Sequence, residues 1–367
     1  MDRSKNGVVQ GIASAIGQKH REKDDCQKTT LTLEYAVHIK SSEIDSGQWD
    51  ALLAQSPTAT FFQSRAYYSF LETLPFLNPF VYAVSGNGTL KALLCGYVIA
   101  EKGLKHYFSR RAIILGGVMM AETADTQALD ILLQETVRQL QRKVIYIEIR
   151  NSHNYSVLRH IFESKGLKYL PHYNFKIDTH DANLLSQIGK SRIRDERAAI
   201  SRGASVTENP TDDELSQWYE ILKNLYKNRV QKPLFPYEFF EKMRHCAFAR
   251  FFLVKAEGNV IGGTLCICDT NNCMYEWYAC GLDREKYSQY FPSTVATMAS
   301  IRYATAHEIR VFDMLGAGIP SKEYGVRNFK QHFGGKLVEE GRFLYICNNL
   351  LYGIGTCAIK YVSRYSW

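Results

Sequence analysis

No apolar run in this chain reaches the roughly 20 residues of a membrane-spanning helix, so a bilayer span is excluded for every stretch of it. A Walker phosphate loop, an H-E-x-x-H zinc pair and a G-x-S-x-G nucleophile elbow are all missing. Gly316-Ala317-Gly318 lacks the third glycine and the later acidic residue of a dinucleotide fingerprint. The ten histidines show no metal-ligand spacing. Nine cysteines are scattered without paired C-x-x-C knuckles, which argues against a disulfide framework and fits a reducing compartment. Cys266, Cys268, Cys273 and Cys280 do cluster, but Cys266 and Cys268 read as alternate positions of one strand, as small buried residues rather than zinc ligands. Residues 1–30 hold no apolar segment of a secretory signal, so the chain is expected in the cytoplasm. Nucleophilic, metal and redox chemistries lose support, which leaves transfer or binding.

What is present is a 367-residue chain, 46% hydrophobic, long enough for two domains with real cores. Its net charge of +8 attracts anions, be they nucleic acid, phosphorylated small molecules or anionic lipid. Aromatic residues make up 13% and lie mostly within apolar strands rather than between basic residues, so they read first as core.

Taken in order, residues 1–33 are charged and aperiodic and read as a flexible extension. Leu31 to Ile39 alternates as a strand, and Ser41 to Gln55 and Ser64 to Leu74 read as helices. Phe80 to Ala100 is a hairpin turning at Ser85-Gly86-Asn87-Gly88. A strand (Ser109 to Met120), a helix (Thr126 to Gln141), a strand (Val144 to Arg150), a helix (Tyr155 to Lys165) and a strand (Tyr173 to Asp178) follow. A second hairpin turns at Glu257-Gly258-Asn259, then come a strand (Cys273 to Cys280), a helix (Ser293 to Ala306) and a strand (Ile309 to Met314). The hairpin turns lie 258 − 86 = 172 residues apart and the strands after the helices 309 − 144 = 165. Two markers at nearly one offset, in one order of elements, imply a duplicated domain. The fold class is therefore α+β, with tandem domains of mixed, mostly antiparallel sheets flanked by helices. The boundaries fall at 34–182 for the first domain, 183–345 for the second with its inter-half helices, and 346–367 for a helical tail.

The stretch Ile309 to Gly335 opens as a strand, breaks on Gly316 and Gly318, and delivers Phe329-Lys330 on a short helix stopped by Gly334-Gly335. A cation presented beyond the C-terminal end of a strand stands where an α/β sheet usually works. Between the halves, Lys190, Arg194 and Arg197 share one face of a helix, either a solvated stripe salt-bridged through Asp195 and Glu196 or a docking stripe for an anion. Arg229 ends the next helix, where it also answers the helix dipole. The tail from Phe343 to Trp367 is apolar with Lys360 and Arg364, and reads as a docking helix or as a contact with an anionic membrane face.

These residues resemble a known family. Phe312-Asp313, the glycine break, and Gly325-Val-Arg327-Asn-Phe329-Lys330-Gln-His-Phe333-Gly334 are similar to the closing signature of the FemABX-type peptidoglycan-bridge aminoacyltransferases. Phe62-Gln63-Ser64, Arg111 through Gly116-Gly117, Gly166 into Tyr173 to Asp178, and Lys190 through Gly203 agree with it, so the likeness covers about residues 40–345. The resemblance implies tandem acetyltransferase-like (GNAT) folds and transfer of an aminoacyl group from aminoacyl-tRNA to an amine of a peptidoglycan precursor, nucleotide- or lipid-linked. It implies no bound cofactor, because the acyl donor is a co-substrate. It also implies a cytoplasmic protein, with peripheral contact at the inner membrane face as an option. Related tandem folds use an acyl thioester of coenzyme A or a carrier protein, and a non-catalytic binding module on the same scaffold is the third reading.

Acyl transfer to an amine passes through an oxyanion that a positioned cation or backbone N–H stabilises. The resemblance assigns that role to Lys330, with Asp313 orienting the amine or capping the next turn. It assigns substrate contacts to Arg229, Arg327 and Tyr324, with Arg194 on the inter-half stripe. The family's phosphate-binding lysine after the Gln-rich opening is not evident, since Arg65 is the one basic residue between Gln63 and Phe76. The usual Gln/Arg-x-x-Gly-x-Gly/Ala loop for a coenzyme pyrophosphate is absent near Thr126 and Ser293.

Overall fold

The computed structural model describes residues 34–101, 103, 106–121, 125–269 and 273–356. The expected N-terminal extension and the tail residues Lys360, Arg364 and Trp367 lie outside them. The first half runs β1 (Tyr35–His38), α1 (Ser46–Gln55), α2 (Arg65–Glu72), β2 (Leu77–Gly86), β3 (Thr89–Ile99), α3 (His106–Ser109), β4 (Arg111–Gly116), β5 (Met119–Met120), α4 (Thr126–Leu140), β6 (Tyr146–Asn151), α5 (Arg159–Ser164), β7 (Lys168–Leu170) and β8 (Tyr173–Asp178). The second begins with α6 (Leu184–Gln187), α7 (Lys190–Ser201), β9 (Ser205–Thr207), α8 (Asp212–Leu225), a π turn (Tyr226–Val230) and α9 (Tyr237–Arg244). It continues through β10 (Ala249–Ala256), β11 (Asn259–Asp269), β12 (Cys273–Gly281), α10 (Pro292–Ala306), β13 (Val311–Gly316), α11 (Gly325–Lys330), β14 (Lys336–Glu339) and β15 (Arg342–Ile346).

Both hairpins turn on a positive-φ pair, Asn87-Gly88 and Glu257-Gly258, the backbone that matches the twist of a two-residue connection. The expected strand from Ser109 to Met120 is broken into β4 and β5 by Gly116 and Gly117, at φ 84° and 94°. A Cβ on Gly117 would stand 2.6 Å from the Tyr155 hydroxyl, which donates to Val118 O and accepts from Val118 N, so only glycine fits there. On α4, Leu129, Leu132, Leu133, Thr136 and Leu140 form the buried stripe that the periodicity predicts, packed on the outer face of the first sheet.

Two sheets result, in the orders β1-β2-β3-β4-β6-β15-β7, with β5 beside β3, and β14-β8-β13-β12-β11-β10-β9. They do not follow the domain boundaries expected from the sequence. β8, placed at the end of the first domain, pairs with β13 and β14 in the second sheet. β15, placed at the border of the second domain and the tail, is inserted between β6 and β7 in the first. Each half thus lends its last strand to the other. Phe343 was read as the start of an apolar tail; it is a strand residue stacked on Phe162 of α5 at 4.0 Å, and helix begins only over 349–356. A five-residue strand whose two buried residues, Phe343 and Leu344, are adjacent is too short a signal to separate from a helix by pattern alone. A shared core of Phe61, Phe62, Tyr67, Leu93, Trp218, Phe239, Phe251 and Leu265 joins residues of both halves.

Candidate functional site

The two sheets differ at their centres. In the first, β4 and β6 run parallel and stay paired from Arg111↔Tyr146 to Gly116↔Asn151. In the second, the equivalent parallel pair β12 and β13 is joined only at Cys273↔Val311, Met274↔Phe312 and Tyr275↔Asp313. Beyond that point Glu276–Gly281 has no partner strand on the β13 side among the described residues. A bulge lies at this parting: Leu265 faces Tyr278 and Cys266 faces Glu276, leaving Trp277 as the extra residue. The bulge turns both Trp277 and Tyr278 into the aromatic core around Phe239, and Glu276 to the opposite side, toward α10. Glu276 is buried, accepts the Thr297 hydroxyl at 2.8 Å, and is raised above the ordinary carboxylate range by burial, against the pull of Lys330.

The facing end of β13 is fixed from below. Asp313 is fully buried, accepts Leu315 N–H at 2.7 Å, and is raised by burial against the charge of Lys176. Leu315 adopts φ 55°, a left-handed conformation costly for a leucine. Lys330 compensates: its ammonium donates to Met314 O, to Leu315 O at 3.3 Å and to Gly316 O at 3.0 Å. An ammonium has three N–H donors, so these acceptors use all of them. Burial lowers the Lys330 pKa, against the pull of Glu276 and Asp313. Arg327 continues the clamp, donating to Ala317 O at 2.9 Å and to Ile319 O while stacking over Tyr173.

Asp313 also meets a base from the exchanged strand β8. Lys176 Nζ lies 3.6 Å from Asp313 Oδ2, pairs closely with Glu340, and donates to Ser152 O at 2.7 Å. Asn174 donates to the same Glu340 carboxylate. Burial, and then the charge of Asp313, push Glu340 up to about 7. The first sheet holds the counterpart. On β6, Glu148 accepts Arg150 at 3.0 and 2.8 Å and, from the exchanged strand β15, Arg342 at 2.7 Å. Burial opposes ionisation of Glu148, but the two guanidinium charges hold it well below the usual range. Glu148 and Asp313 are 313 − 148 = 165 residues apart, the duplication offset again, but the exchanged strands set Lys176 opposite Asp313 and Leu344 opposite Glu148, so Arg342 reaches its acid from a different strand position.

Residues 189–331 match the family model described as an acetyltransferase (GNAT) domain. FemX is similar in structure over 88% of this chain and 99% of its own, at 17% identity and a TM-score of 0.64. The chain has the tandem GNAT fold. A tandem GNAT protein from the clavulanic acid biosynthesis pathway is similar at 11% identity and a TM-score of 0.56, covering 86% of this chain and 99% of that one. The C-terminal domain of a candidate lysylphosphatidylglycerol synthetase from Agrobacterium fabrum is similar at 11% and 0.53, covering 86% and 95%. No curated protein matches the chain in sequence. GNAT is an acyltransferase fold, and in this tandem version the parted β12/β13 edge belongs to the half that the GNAT model matches.

The tandem fold gathers some of the residues singled out in the sequence and leaves others apart. Asp313 and Lys330 meet at the end of β13, but Lys330 is 9% exposed and engaged with three carbonyls rather than presented as a free cation. Arg327 is spent on main-chain carbonyls in the same way. Tyr324 packs against Gly318 and lies within electrostatic reach of Arg342. Arg229 stands exposed on the π turn, three residues before Lys232. Arg65 is on the surface, bidentate to Asp50, and Arg194 is exposed beside Asp195; neither touches the residues around β13. The α7 carboxylates Asp195 and Glu196, expected on a solvated face, are buried, Glu196 accepting Arg302 at 2.8 and 2.6 Å. Glu276, Lys176, Glu340, Arg150 and Arg342 were not singled out as site residues. Glu148 and Arg150 were visible as the polar side of an alternating strand, and the 165-residue offset sets Glu148 at the place of Asp313.

Proposed function

We propose that this protein transfers an aminoacyl group from aminoacyl-tRNA to an amine of a peptidoglycan precursor, working in its second half. The observation that carries this reading is the parted edge between β12 and β13 with a buried carboxylate, Glu276, at the point of parting. The first half, whose β4/β6 pair stays closed and which offers no counterpart to Lys330, serves as scaffold.

The acceptor amine nitrogen attacks the carbonyl carbon of the aminoacyl ester, forming the C–N bond and a tetrahedral oxyanion. Among the described residues, backbone N–H groups on the open edge of β12 lack strand partners and can donate to that oxygen. The amine proton passes to Glu276, whose raised pKa suits a group that accepts and then releases a proton. The C–O bond to the tRNA ribose breaks, and the proton goes to the departing ribose oxygen. Lys330 acts by positioning: it and Arg327 hold the β13 turn that forms the opposite wall.

Donor choice is supported by the helix starts. A coenzyme pyrophosphate in a GNAT fold needs free N–H groups at a helix N-terminus. Here α10 begins with Ser293 N donating to Asp283 at 3.0 Å, and α4 with Gln127 N and Ala128 N donating to Asp125 at 3.1 and 3.0 Å. A carboxylate at each of these places repels a pyrophosphate, which disfavours a coenzyme thioester. The likeness to a candidate lysylphosphatidylglycerol synthetase supports an acceptor carried on lipid, with the protein working at the inner membrane face. Among the described residues no helix is long and apolar enough to cross a membrane. Offering aminoacyl-tRNA and acetyl-coenzyme A separately, with wild type and Glu276→Gln, tests the reading: transfer from the first donor alone, lost in the variant, is expected.

A further inference from the structure

At one end of the first sheet, three chain segments meet that take no part in the site described above. The Arg110 carbonyl accepts Ile145 N–H at 2.8 Å, and the Ile145 carbonyl accepts Cys347 N–H and Asn348 N–H at 2.8 and 3.1 Å. These bonds gather α3, the turn after α4 and the helix over 349–356. The Asn348 side chain caps that helix by accepting Leu351 N–H at 2.9 Å, and the Tyr352 ring packs edge-on against Tyr146 of β6 at 5.5 Å. On its other flank, a Cβ on Gly355 would stand 3.7 Å from Phe108 O, which sets α3 beside the helix. With Tyr352 turned to the sheet, Leu350 and Ile354, four residues apart on one helix face, are left exposed, Leu350 at 74%. Tyr107 and Phe108 of α3 are exposed as well, Tyr107 at 63%.

Charge is distributed as unevenly as the apolar surface. Arg142 and Lys143, in the turn between α4 and β6, are exposed. The stretches 102–111, 141–147 and 346–367, to which all these residues belong, contain eight lysines and arginines and no aspartate or glutamate. The remainder of the chain holds 45 − 8 = 37 basic residues against 37 acidic ones, so these stretches carry the whole net charge of +8. An apolar patch rimmed by cations marks an interaction surface, and its chemistry narrows the partner. Leu350 and Ile354 offer RNA neither a stacking ring nor a hydrogen bond. A second copy of the chain would set the same cations against each other across a two-fold axis. A bilayer with anionic headgroups satisfies both the aliphatic side chains and the charge.

We infer that α3 and the helix over 349–356 form a docking face for an anionic lipid bilayer. Leu350 and Ile354 enter the boundary between headgroups and acyl chains, Tyr107 and Phe108 sit at headgroup level, and Arg142 and Lys143 stand against the lipid phosphates. So few apolar side chains give shallow, reversible attachment rather than insertion. That this bilayer is the one carrying the acceptor rests on the proposed function; the docking face itself does not.

The test uses the full chain without acyl donor or acceptor, so its failure and a failure of transfer are separate results. Wild type, Leu350→Glu with Ile354→Glu, and Arg142→Glu with Lys143→Glu are co-sedimented with phosphatidylglycerol vesicles and, separately, with phosphatidylcholine vesicles. Each protein is first checked for an unchanged circular dichroism spectrum and melt; all four positions are exposed, so both double variants are expected to fold. Wild type is expected on the anionic vesicles and not on the neutral ones, more weakly as salt rises. Each double variant is expected to bind about tenfold more weakly or worse. Gel filtration and added tRNA report on the other partners. Wild type left in the supernatant, equal sedimentation by the Leu350→Glu, Ile354→Glu variant, a wild-type dimer that this variant abolishes, or release of wild type from the vesicles by equimolar tRNA overturns the inference.

Discussion

The Lys176 ammonium lies 3.6 Å from the Asp313 carboxylate, although the two residues are 313 − 176 = 137 apart in the chain. They face each other because β8 leaves the half in which it is made and pairs with β13. Arg342 repeats the move in the other direction to reach Glu148. The exchange ties the halves together through Lys176, which bridges Asp313 and Glu340, and Arg342, which shares Glu148 with Arg150.

Removing one member of such a pair should therefore be costly. Lys176→Met leaves Asp313 and Glu340 buried without their cation, and a loss of about 3–5 kcal/mol in unfolding free energy is expected from urea denaturation. Adding Asp313→Asn to it should recover part of that loss, since one uncompensated charge is then gone. A loss under about 1 kcal/mol for Lys176→Met would mean that the pair does not hold the halves.

Glu340 sets a pH dependence. Its folded pKa, about 7, lies above the ordinary 4.5, so the native state holds a proton that the unfolded chain releases. The stability it contributes is fully present below about pH 4.5 and lost as pH rises through about 7. Denaturation series across that window should show wild type weakening toward neutrality, with a flatter profile for Glu340→Gln.

Lys330→Met strips Leu315 O, Gly316 O and Met314 O of their donor and frees a residue held at φ 55°. A cost of about 3 kcal/mol or more is expected, together with reduced transfer, because the β13 wall shifts. A positioning lysine predicts that the folded variant loses activity in step with rising hydrogen exchange at 314–316. A variant that is inactive but shows unchanged exchange there would return Lys330 to direct contact with substrate.

Much of this was legible in the residues, and for identifiable reasons. Asn87-Gly88 and Glu257-Gly258 fixed the hairpins, the α4 stripe fixed a helix face, and the repeat offset exposed the duplication. Strand exchange was not legible, because β8 and β15 are short strands with two adjacent buried residues each and nothing local says which sheet they join. Lys330 and Asp313 were found through the Phe-Lys ending, but a sequence cannot show that the ammonium is saturated by carbonyls. Glu276 stood within an apolar strand, and only the Trp277 bulge, a register property of two strands, reveals that it faces α10.

Glu276→Gln gives the most direct test of the central claim, that acyl transfer occurs where β12 parts from β13. With aminoacyl-tRNA as donor and a lipid-linked peptidoglycan precursor as acceptor, kcat should fall by a factor of about 10² to 10⁴ while KM and the melting temperature stay close to wild type. The residual rate should also lose the acidic limb that the raised Glu276 carboxyl imposes on wild type. Full activity in Glu276→Gln, or transfer from acetyl-coenzyme A in preference to aminoacyl-tRNA, would contradict it.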